Sequence, residues 1–526
     1  SSGRRVLELT KRNFVMSKKQ RTSDKTGRRS KQRGRSRRNQ NNNRFGAVCI
    51  ILQTILSLAF MAVLMMINIL PLKYLSLIAM VLVFLWCITL NTQIARKRRG
   101  IAGKVFSLVL VGCLSMGTFY IAQANGVLGM ITDGNFQVNN MVVAVLADDP
   151  AESIEGAADY NFGVQFERGG DNMQAAITDI QEELGRDINM TEFDSVQDQA
   201  TALHDGKVEA ILYNDAYTDL LEEAFPGYKD SVKIIYQHSI RVELNLGNSS
   251  SDDSLTKKPF TVYISGIDVY GDISQTSRSD VNIIAVVNPT THQVLLVTTP
   301  RDYYVEIPGI SKGEKDKLTH AGIYGVDASM DTLAELYETE INYYVRLNFT
   351  SMIDIVDILG GVDVYSEYEF TTSKDSGYVM DVKKGINHFN GEQALAFSRE
   401  RQNVPDGDNT RGKDQQAVIT AMLKKMLSPT MLLKAGSVMN QVSQNVDTNV
   451  SQAQLTGLIR NQLGTNATWT IKSVAAEGTG AKDVCYSSGK QQLYVTKPDR
   501  NSIDSIIEEV NIVEEGGILE DSEPLN

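Results

Sequence analysis

Cysteine and histidine are scarce in this chain. Of four cysteines, Cys49, Cys87 and Cys113 lie in apolar runs, which leaves Cys485 alone in the long remainder. No disulfide framework can form there without a partner chain. The five histidines, His204, His238, His292, His320 and His388, are scattered, and without metal-ligand spacing they argue against a zinc site or a His-centred triad. Acidic residues are nearly missing from one end: residues 1–104 hold 22 Lys/Arg against Glu8 and Asp24, whereas residues 105–526 hold 30 against 61 acids. The two parts are built for different surroundings. Charge of either sign is absent from Gly46 to Leu70, Tyr74 to Leu90 and Val105 to Ala122. A helix crossing a bilayer core needs about 20 such residues, so three membrane spans are predicted. A cleaved signal peptide, with one apolar run of about 7 to 15 residues, does not account for three runs.

At 526 residues the chain is too long for one ordinary domain. The reading is a basic, disordered cytoplasmic tail over 1–45, with Met16 as a natural start after 15 residues of tag or upstream translation, and three spans within 46–123. An α/β accessory domain (124–245), a polar linker (246–258), a catalytic domain (259–512) and an acidic C-terminal tail (513–526) complete it. Basic residues flank the first span and fill Ala95 to Lys104, whereas Leu70 to Lys73 is nearly uncharged. The positive-inside rule then puts the tail and the second loop in the cytoplasm, and the acidic remainder outside a multi-pass cell-membrane protein. A basic tail also suits nucleic acid, yet no helix-turn-helix or other docking module accompanies it.

In the accessory region, strand-like runs at Met141 to Leu146 and Val208 to Tyr213 bracket helical patterns at Asn172 to Leu184 and Val196 to Leu203. This resembles half of a solute-binding protein in pattern alone, and a spacer or scaffold is the plainer reading. From Pro259, strands are predicted at Phe260 to Ser265, Val281 to Asn288, Gln293 to Thr299 and Val362 to Tyr365, the middle two joined as a hairpin by Asn288 to His292. Helices are predicted at Ser329 to Tyr337, Ser351 to Leu359 and Gln415 to Leu427. The fold class is α/β: a three-layer mixed sheet covered by helices, with a smaller α/β accessory domain and an N-terminal transmembrane region.

Charged residues gather at strand ends, where α/β proteins bind ligands: Asp268, Arg278 with Asp280, and Arg301 with Asp302. Each alone is readily a solvated surface charge or a local ion pair. Ala394 to Arg401 reads as a strand whose period of two puts Arg399 and Arg401 on one face, with Glu400 opposite. Like charges so placed need an anion between them. Arg411 opens a following helix, with Gln415 one turn on. Guanidinium groups grip phosphate by paired hydrogen bonds. Asp268 and Asp280 suit Mg²⁺ shared with substrate phosphates. Together these residues describe a site for a metal pyrophosphate.

The pieces SGID (265 to 268), RSD (278 to 280), VVNP (286 to 289), PRD (300 to 302), KLTHA (317 to 321), DILGGVDV (357 to 364), FNGEQALAFSRER (389 to 401) and GDNTR (407 to 411) stand in an order that resembles the LytR-CpsA-Psr family of cell-wall ligases. The resemblance covers about residues 259 to 510, and three spans before an accessory unit look like the capsule-associated streptococcal type of a Gram-positive bacterium. It implies transfer of an anionic glycopolymer, such as capsular polysaccharide or a teichoic-acid-like polymer, from undecaprenyl pyrophosphate to a peptidoglycan hydroxyl. By similarity Asp268 and Asp280 fall on Mg²⁺-binding positions, and Arg278, Arg301, Arg399, Arg401, Arg411 and Gln415 on pyrophosphate-binding ones. Asp302 or Asp408 is the candidate acceptor of the hydroxyl proton, and an apolar slot near Ile353 to Leu359 and Val418 to Leu427 the candidate place for the polyprenyl tail. One departure is Asp414, where many members carry a second arginine before the helix glutamine. Rival readings are a pyrophosphatase acting on the same lipid and a non-enzymatic receptor of anionic glycans. Capsule-synthesis machinery is an expected partner.

Overall fold

The computed structural model describes residues 45–66, 68–94, 101–128, 136–167, 170–244, 254–267, 273–405, 407–433, 438 and 446–525. The basic tail, most of the loop at 95–104, most of the 246–258 linker and Asp268 lie outside them. The chain divides into two compact units, Ser1–Gln123 and Ala124–Asn526.

The first unit holds α1 (Phe45–Met66), α2 (Leu72–Ile94) and α3 (Ile101–Leu128), each long and apolar enough to cross a membrane. Its polarity is inverted relative to a water-soluble bundle. Gln53, Thr89 and Ser107 are fully buried, while Leu58, Phe84 and Phe119 are each more than 60 % exposed. Ser107 Oγ donates to Gln53 Oε1 at 2.8 Å, and Trp86 Nε1 donates to Thr54 Oγ1 at 3.0 Å. Side-chain hydrogen bonds thus join the helices where lipid offers no partner.

In the second unit, β1 (Phe136–Leu146), β2 (Asn161–Val164), α4 (Gly170–Leu184), β3 (Asn189–Glu192), α5 (Val196–His204), β4 (Ala210–Asn214), α6 (Thr218–Ala224) and β5 (Val232–Glu243) form the accessory part. Its mixed sheet has the order β3-β2-β4-β1-β5. Alternation along β1 sends Met141, Val143 and Val145 against Ile177 and Ile180 of α4, and Val142 and Ala144 to the opposite face. That opposite face shares one core with Ile323, Leu493 and Val495, which belong to the catalytic part. The backbone of Val138 also exchanges hydrogen bonds with Ser274 and Thr276 at 2.9 Å each. The accessory part is therefore fused to its neighbour rather than strung beside it as a spacer.

The catalytic part runs β6 (Phe260–Ile267), β7 (Ser279–Asn288), β8 (Gln293–Thr299), α7 (Leu318–Tyr324), α8 (Val326–Tyr337), β9 (Tyr343–Leu347), α9 (Phe349–Ile358), β10 (Val362–Ser366), β11 (Gly385–Phe389), α10 (Gly391–Arg399), α11 (Gly407–Leu427), β12 (Asp447–Thr448), β13 (Thr470–Ala475), α12 (Arg500–Glu514) and β14 (Glu523–Pro524). Seven strands lie in the order β12-β9-β6-β7-β8-β13-β14, with β6, β7 and β8 antiparallel, β9 parallel to β6 and β13 parallel to β8. All seven residues of β8 are buried, as a strand covered on both faces requires. Ile284, Val286, Leu295 and Val297 pack on α8 and α12, whereas Ile283, Ala285, Val294 and Leu296 pack on Ile419, Leu423 and Leu427 of α11. Helices, sheet and helices make the three layers. The predicted hairpin is present, and Asn288 Oδ1 accepts the backbone N–H groups of Thr290 and Thr291 to form its turn.

Two expectations are corrected. Residues 394–399 are not a strand: they belong to α10, started by a capping box in which Asn390 Oδ1 accepts from Gln393 N and Gln393 Oε1 accepts from Asn390 N. Gly391 lets this helix lie on the backbone of Ile353 in α9, where a Cβ would collide. The segment from 513 is not a free acidic tail, because Val513, Leu519 and Leu525 are buried and β14 pairs with β13. The acids around these three apolar residues hide them from a composition-based reading.

Candidate active site

The sheet end formed by β6, β7 and β9 faces α9, α10 and α11 across a cavity of about 350 Å³. Its walls include Ile264, Val281, Leu347, Phe349, Met352, Leu395, Ile419 and Met422, and its polar lining includes Asp280, Arg399, Arg401, Arg411 and Gln415. One cavity thus offers apolar surface to a hydrocarbon and a cluster of guanidinium groups to an anion. Of the two helix segments expected near an apolar slot, the one at 418–427 contributes Ile419 and Met422, whereas no residue of 353–359 lines this cavity.

Arg399 and Arg401 reach the cavity together for a different reason than strand alternation. Arg399 ends α10, Glu400 is extended at φ −65° and ψ 134°, and Arg401 follows, so the pair flanks one extended residue. The Arg399 guanidinium lies over the Phe349 ring at 4.2 Å, a cation–π contact that orients it. Arg411, in the second turn of α11, is buried, and Gln415 stands four residues on along the same helix.

Glu400 was not singled out from the sequence. Its carboxylate is fully buried, and Oε1 accepts backbone N–H groups of Arg401 at 2.9 Å, Gln402 at 2.7 Å and Asn403 at 3.1 Å. Oε2 accepts from Ser373 N. Burial pushes its pKa up, but the donors at Ser373, Asn403 and Gln402 outweigh this and hold it below the usual glutamate value. Glu400 therefore fastens the arginine loop to the Ser373 loop, which also lines the cavity. The only signal in the sequence was one acid between two arginines, indistinguishable from a local ion pair.

The strand-end residues form a second group. Arg301 Nη1 donates to Asp280 Oδ2 at 2.9 Å, and Thr319 Oγ1 donates to Asp280 Oδ1 at 3.3 Å. Asp302 is buried, lies 3.6 Å from Arg301 Nε and 3.0 Å from the Nζ of buried Lys317, and does not line the cavity. Nor does Arg278, whose guanidinium faces Glu223 at 3.3 Å and Asp219 at 3.5 Å on α6. Asp280 pairs with Arg301 rather than with Arg278, whose guanidinium turns to the accessory part. Asp268 falls outside the described residues, as does the Asp408 side chain.

Asp414 does not line the cavity either. Burial pushes its carboxyl up to about 8, and the charges of Glu367 and Glu400 add to that. Both effects favour its neutral form.

The model of the LytR_cpsA_psr family matches residues 226–510, more than half of the chain. The chain is 37 % identical over 216 residues, 41 % of this chain and 68 % of the relative, to the polyisoprenyl-teichoic acid–peptidoglycan teichoic acid transferase TagU of Bacillus cereus (strain AH820). It is 36 % identical over 217 residues, 41 % of this chain and 67 % of the relative, to the protein of the same name from Enterococcus faecalis (strain ATCC 700802 / V583). Among solved structures, B. subtilis TagU is 29 % identical, with 50 % of this chain and all of that chain covered at a TM-score of 0.39. A structure of TagT bound to LI-WTA is 28 % identical, with 52 % and 99 % covered at a TM-score of 0.41. The extent of the family match, together with relatives more than two-thirds spanned, means that the chain belongs to the LytR-CpsA-Psr family.

Proposed function

We propose that this protein transfers an anionic glycopolymer, a capsular polysaccharide or a teichoic-acid-like polymer, from a polyprenyl-pyrophosphate carrier to a peptidoglycan hydroxyl. One observation carries the reading: a single cavity whose apolar walls suit a polyprenyl chain and whose lining gathers Arg399, Arg401, Arg411 and Gln415 for a diphosphate. Relatives named as polyisoprenyl-teichoic acid transferases support it. The three spans hold the enzyme at the membrane that holds its lipid substrate. Basic flanks put the N-terminus in the cytoplasm and the catalytic part outside, where peptidoglycan and capsule-synthesis machinery are at hand.

Phosphoryl transfer depends on positioning and charge stabilisation. The acceptor hydroxyl oxygen attacks the phosphorus attached to the glycan and forms the phosphodiester, its proton passing to the departing polyprenyl phosphate. The bond from that phosphorus to the bridging oxygen breaks, and polyprenyl phosphate leaves. Arg399, Arg401 and Arg411 stabilise the negative charge on the phosphate oxygens, and Gln415 supplies a neutral donor. Arg301 holds Asp280 in its rotamer at the cavity wall. Asp302, tied to Lys317 and Arg301 away from the cavity, serves as a positioning residue rather than as the base.

The donor chemistry fits Mg²⁺. Asp280, a lining residue, would supply one carboxylate, its oxygens now shared with Arg301 and Thr319, and Asp268 is the second candidate by similarity. Mg²⁺ takes one or two carboxylates and completes its shell with substrate phosphates and water. When bound, it would neutralise charge on the diphosphate.

The test is incubation of the full-length protein in vesicles with a polyprenyl-diphosphate-linked glycan, Mg²⁺ and peptidoglycan. Glycan covalently attached to peptidoglycan, lost with Arg399→Ala, is the expected result. Release of free phosphorylated glycan alone means a hydrolase, and tight binding without product means a receptor.

A further inference from the structure

A series of ion pairs leads from Glu223, partly exposed on the accessory part, through buried Lys317 to the cavity wall. On α6, Glu223 Oε1 lies 2.7 Å from Lys317 Nζ, and Glu223 Oε2 lies 3.3 Å from Arg278 Nη1. Lys317 Nζ lies 3.0 Å from Asp302 Oδ1, Asp302 Oδ2 lies 3.6 Å from Arg301 Nε, and Arg301 Nη1 lies 2.9 Å from Asp280 Oδ2. Asp280 lines the cavity. Every contact in this path is an ion pair, and its centre is Lys317, with a side chain only 3 % exposed. Burial pushes the Lys317 pKa down, but Asp302 and Glu223 outweigh that and keep the ammonium charged.

A buried ammonium with three donors and no acceptor needs carboxylates on more than one side. The catalytic part supplies Asp302, and Glu223 comes from the accessory part. Without Glu223, Lys317 draws Asp302 toward itself alone, and the shift passes through Arg301 to Asp280. The neighbouring backbone cannot absorb such a shift. Gly322 of α7 sits so close to Ser277 O and Ser279 N that a Cβ there would approach to 2.5 and 3.0 Å, so α7 and the segment carrying Arg278 and Asp280 are packed backbone to backbone. The shared core of Val142, Ile211 and Leu220 with Ile323 of α7 keeps α6 in register with this assembly.

We infer that Glu223 of the accessory part is a positioning residue for the transfer site, acting through Lys317, Asp302 and Arg301 on Asp280, so that the accessory part completes the diphosphate site. The accessory part is then a component of the site rather than a separate binding module. The inference rests on the proposed diphosphate chemistry of the cavity, and its test is separable from that reading.

The experiment titrates geranylgeranyl diphosphate with Mg²⁺ into the full-length protein in detergent by calorimetry, which reads affinity and stoichiometry independently. For Glu223→Gln and for Lys317→Met, the expected result is a Kd about tenfold weaker or more with stoichiometry retained, as a misplaced group produces. The double variant is expected to be no weaker than the weaker single variant, because both act on one path. Loss of stoichiometry at unchanged Kd is the result of a merely structural role and overturns the inference. So does a Kd within about twofold of wild type in a folded Glu223→Gln. If Glu223→Gln does not fold, Asp302→Asn, at the next link beyond Lys317 on the same path, tests it, and a Kd unchanged there likewise overturns it. A wild type that binds the diphosphate but transfers no glycan refutes the proposed function while leaving this coupling measurable.

Discussion

The cations of the site fall into two groups on opposite flanks of one cavity. On the helix flank, Arg399, Arg401 and Arg411 line the cavity itself. On the strand flank, Arg278, Arg301 and Lys317 are held by Asp219, Glu223, Asp302 and Asp280, and none of these three cations lines it. The same residue types therefore do different work. The first group stands at the cavity surface, and the second stands in ion pairs that reach from one wall to the accessory part. A count of arginines near a motif does not separate the two groups, because the distinction lies in which cations the fold brings to the cavity.

The contrast breaks most visibly in catalysis. Arg399→Ala and Arg401→Ala are each expected to lower kcat/KM for glycan transfer by about a thousandfold, read in the peptidoglycan attachment assay. Stability should change little, by about 1 kcal/mol or less, since both side chains lie at the cavity surface rather than in an apolar core. A strand-flank variant should show the reverse balance. Lys317→Met leaves Glu223 and Asp302 without their shared cation and is expected to cost about 3 to 5 kcal/mol in denaturant unfolding, with a loss of transfer of about ten- to a hundredfold.

The apolar wall gives a smaller, selective effect. Met422→Trp narrows the cavity beside Ile419 and should weaken long-tailed polyprenyl diphosphates about tenfold, while inorganic pyrophosphate affinity stays the same, as competition binding would show. The smallest effect concerns Asp414, outside both groups. Its folded pKa of about 8 lies above the unfolded aspartate value, so the folded state binds the extra proton and stability falls as pH rises from about 4 toward 8. Asp414→Asn should flatten that slope and raise stability at pH 7.5, measured as thermal midpoints across pH.

The order of strands β6 to β8, the hairpin turn and three apolar spans were legible from periodicity, turn chemistry and uncharged length, because each is a local property. The α10 helix was misread because Ala-Leu-Ala-Phe followed by alternating charge fits either period over eight residues. Its capping box, Asn390 with Gln393, was the local signal that separates them. Arg399, Arg401, Arg411, Gln415 and Asp280 were placed in one site from residue type and spacing, and they share one cavity. Arg278 and Asp302 were not separable from them, and Glu400 was passed over, since burial and hydrogen-bond partners are not written in the residue itself.

By itself the sequence determined the division into a basic, apolar and acidic chain, the α/β alternation, and the presence of a guanidinium cluster suited to a diphosphate. These follow from composition and short-range pattern, which physical chemistry reads directly. Only the tertiary structure decided which charges face the cavity and which neutralise one another. Carboxylates on α6, some 55 to 94 residues before the cations they hold, are brought to Arg278 and Lys317 by a core that the two parts share. Electrostatic partnership is set by distance and burial, and both are products of the fold.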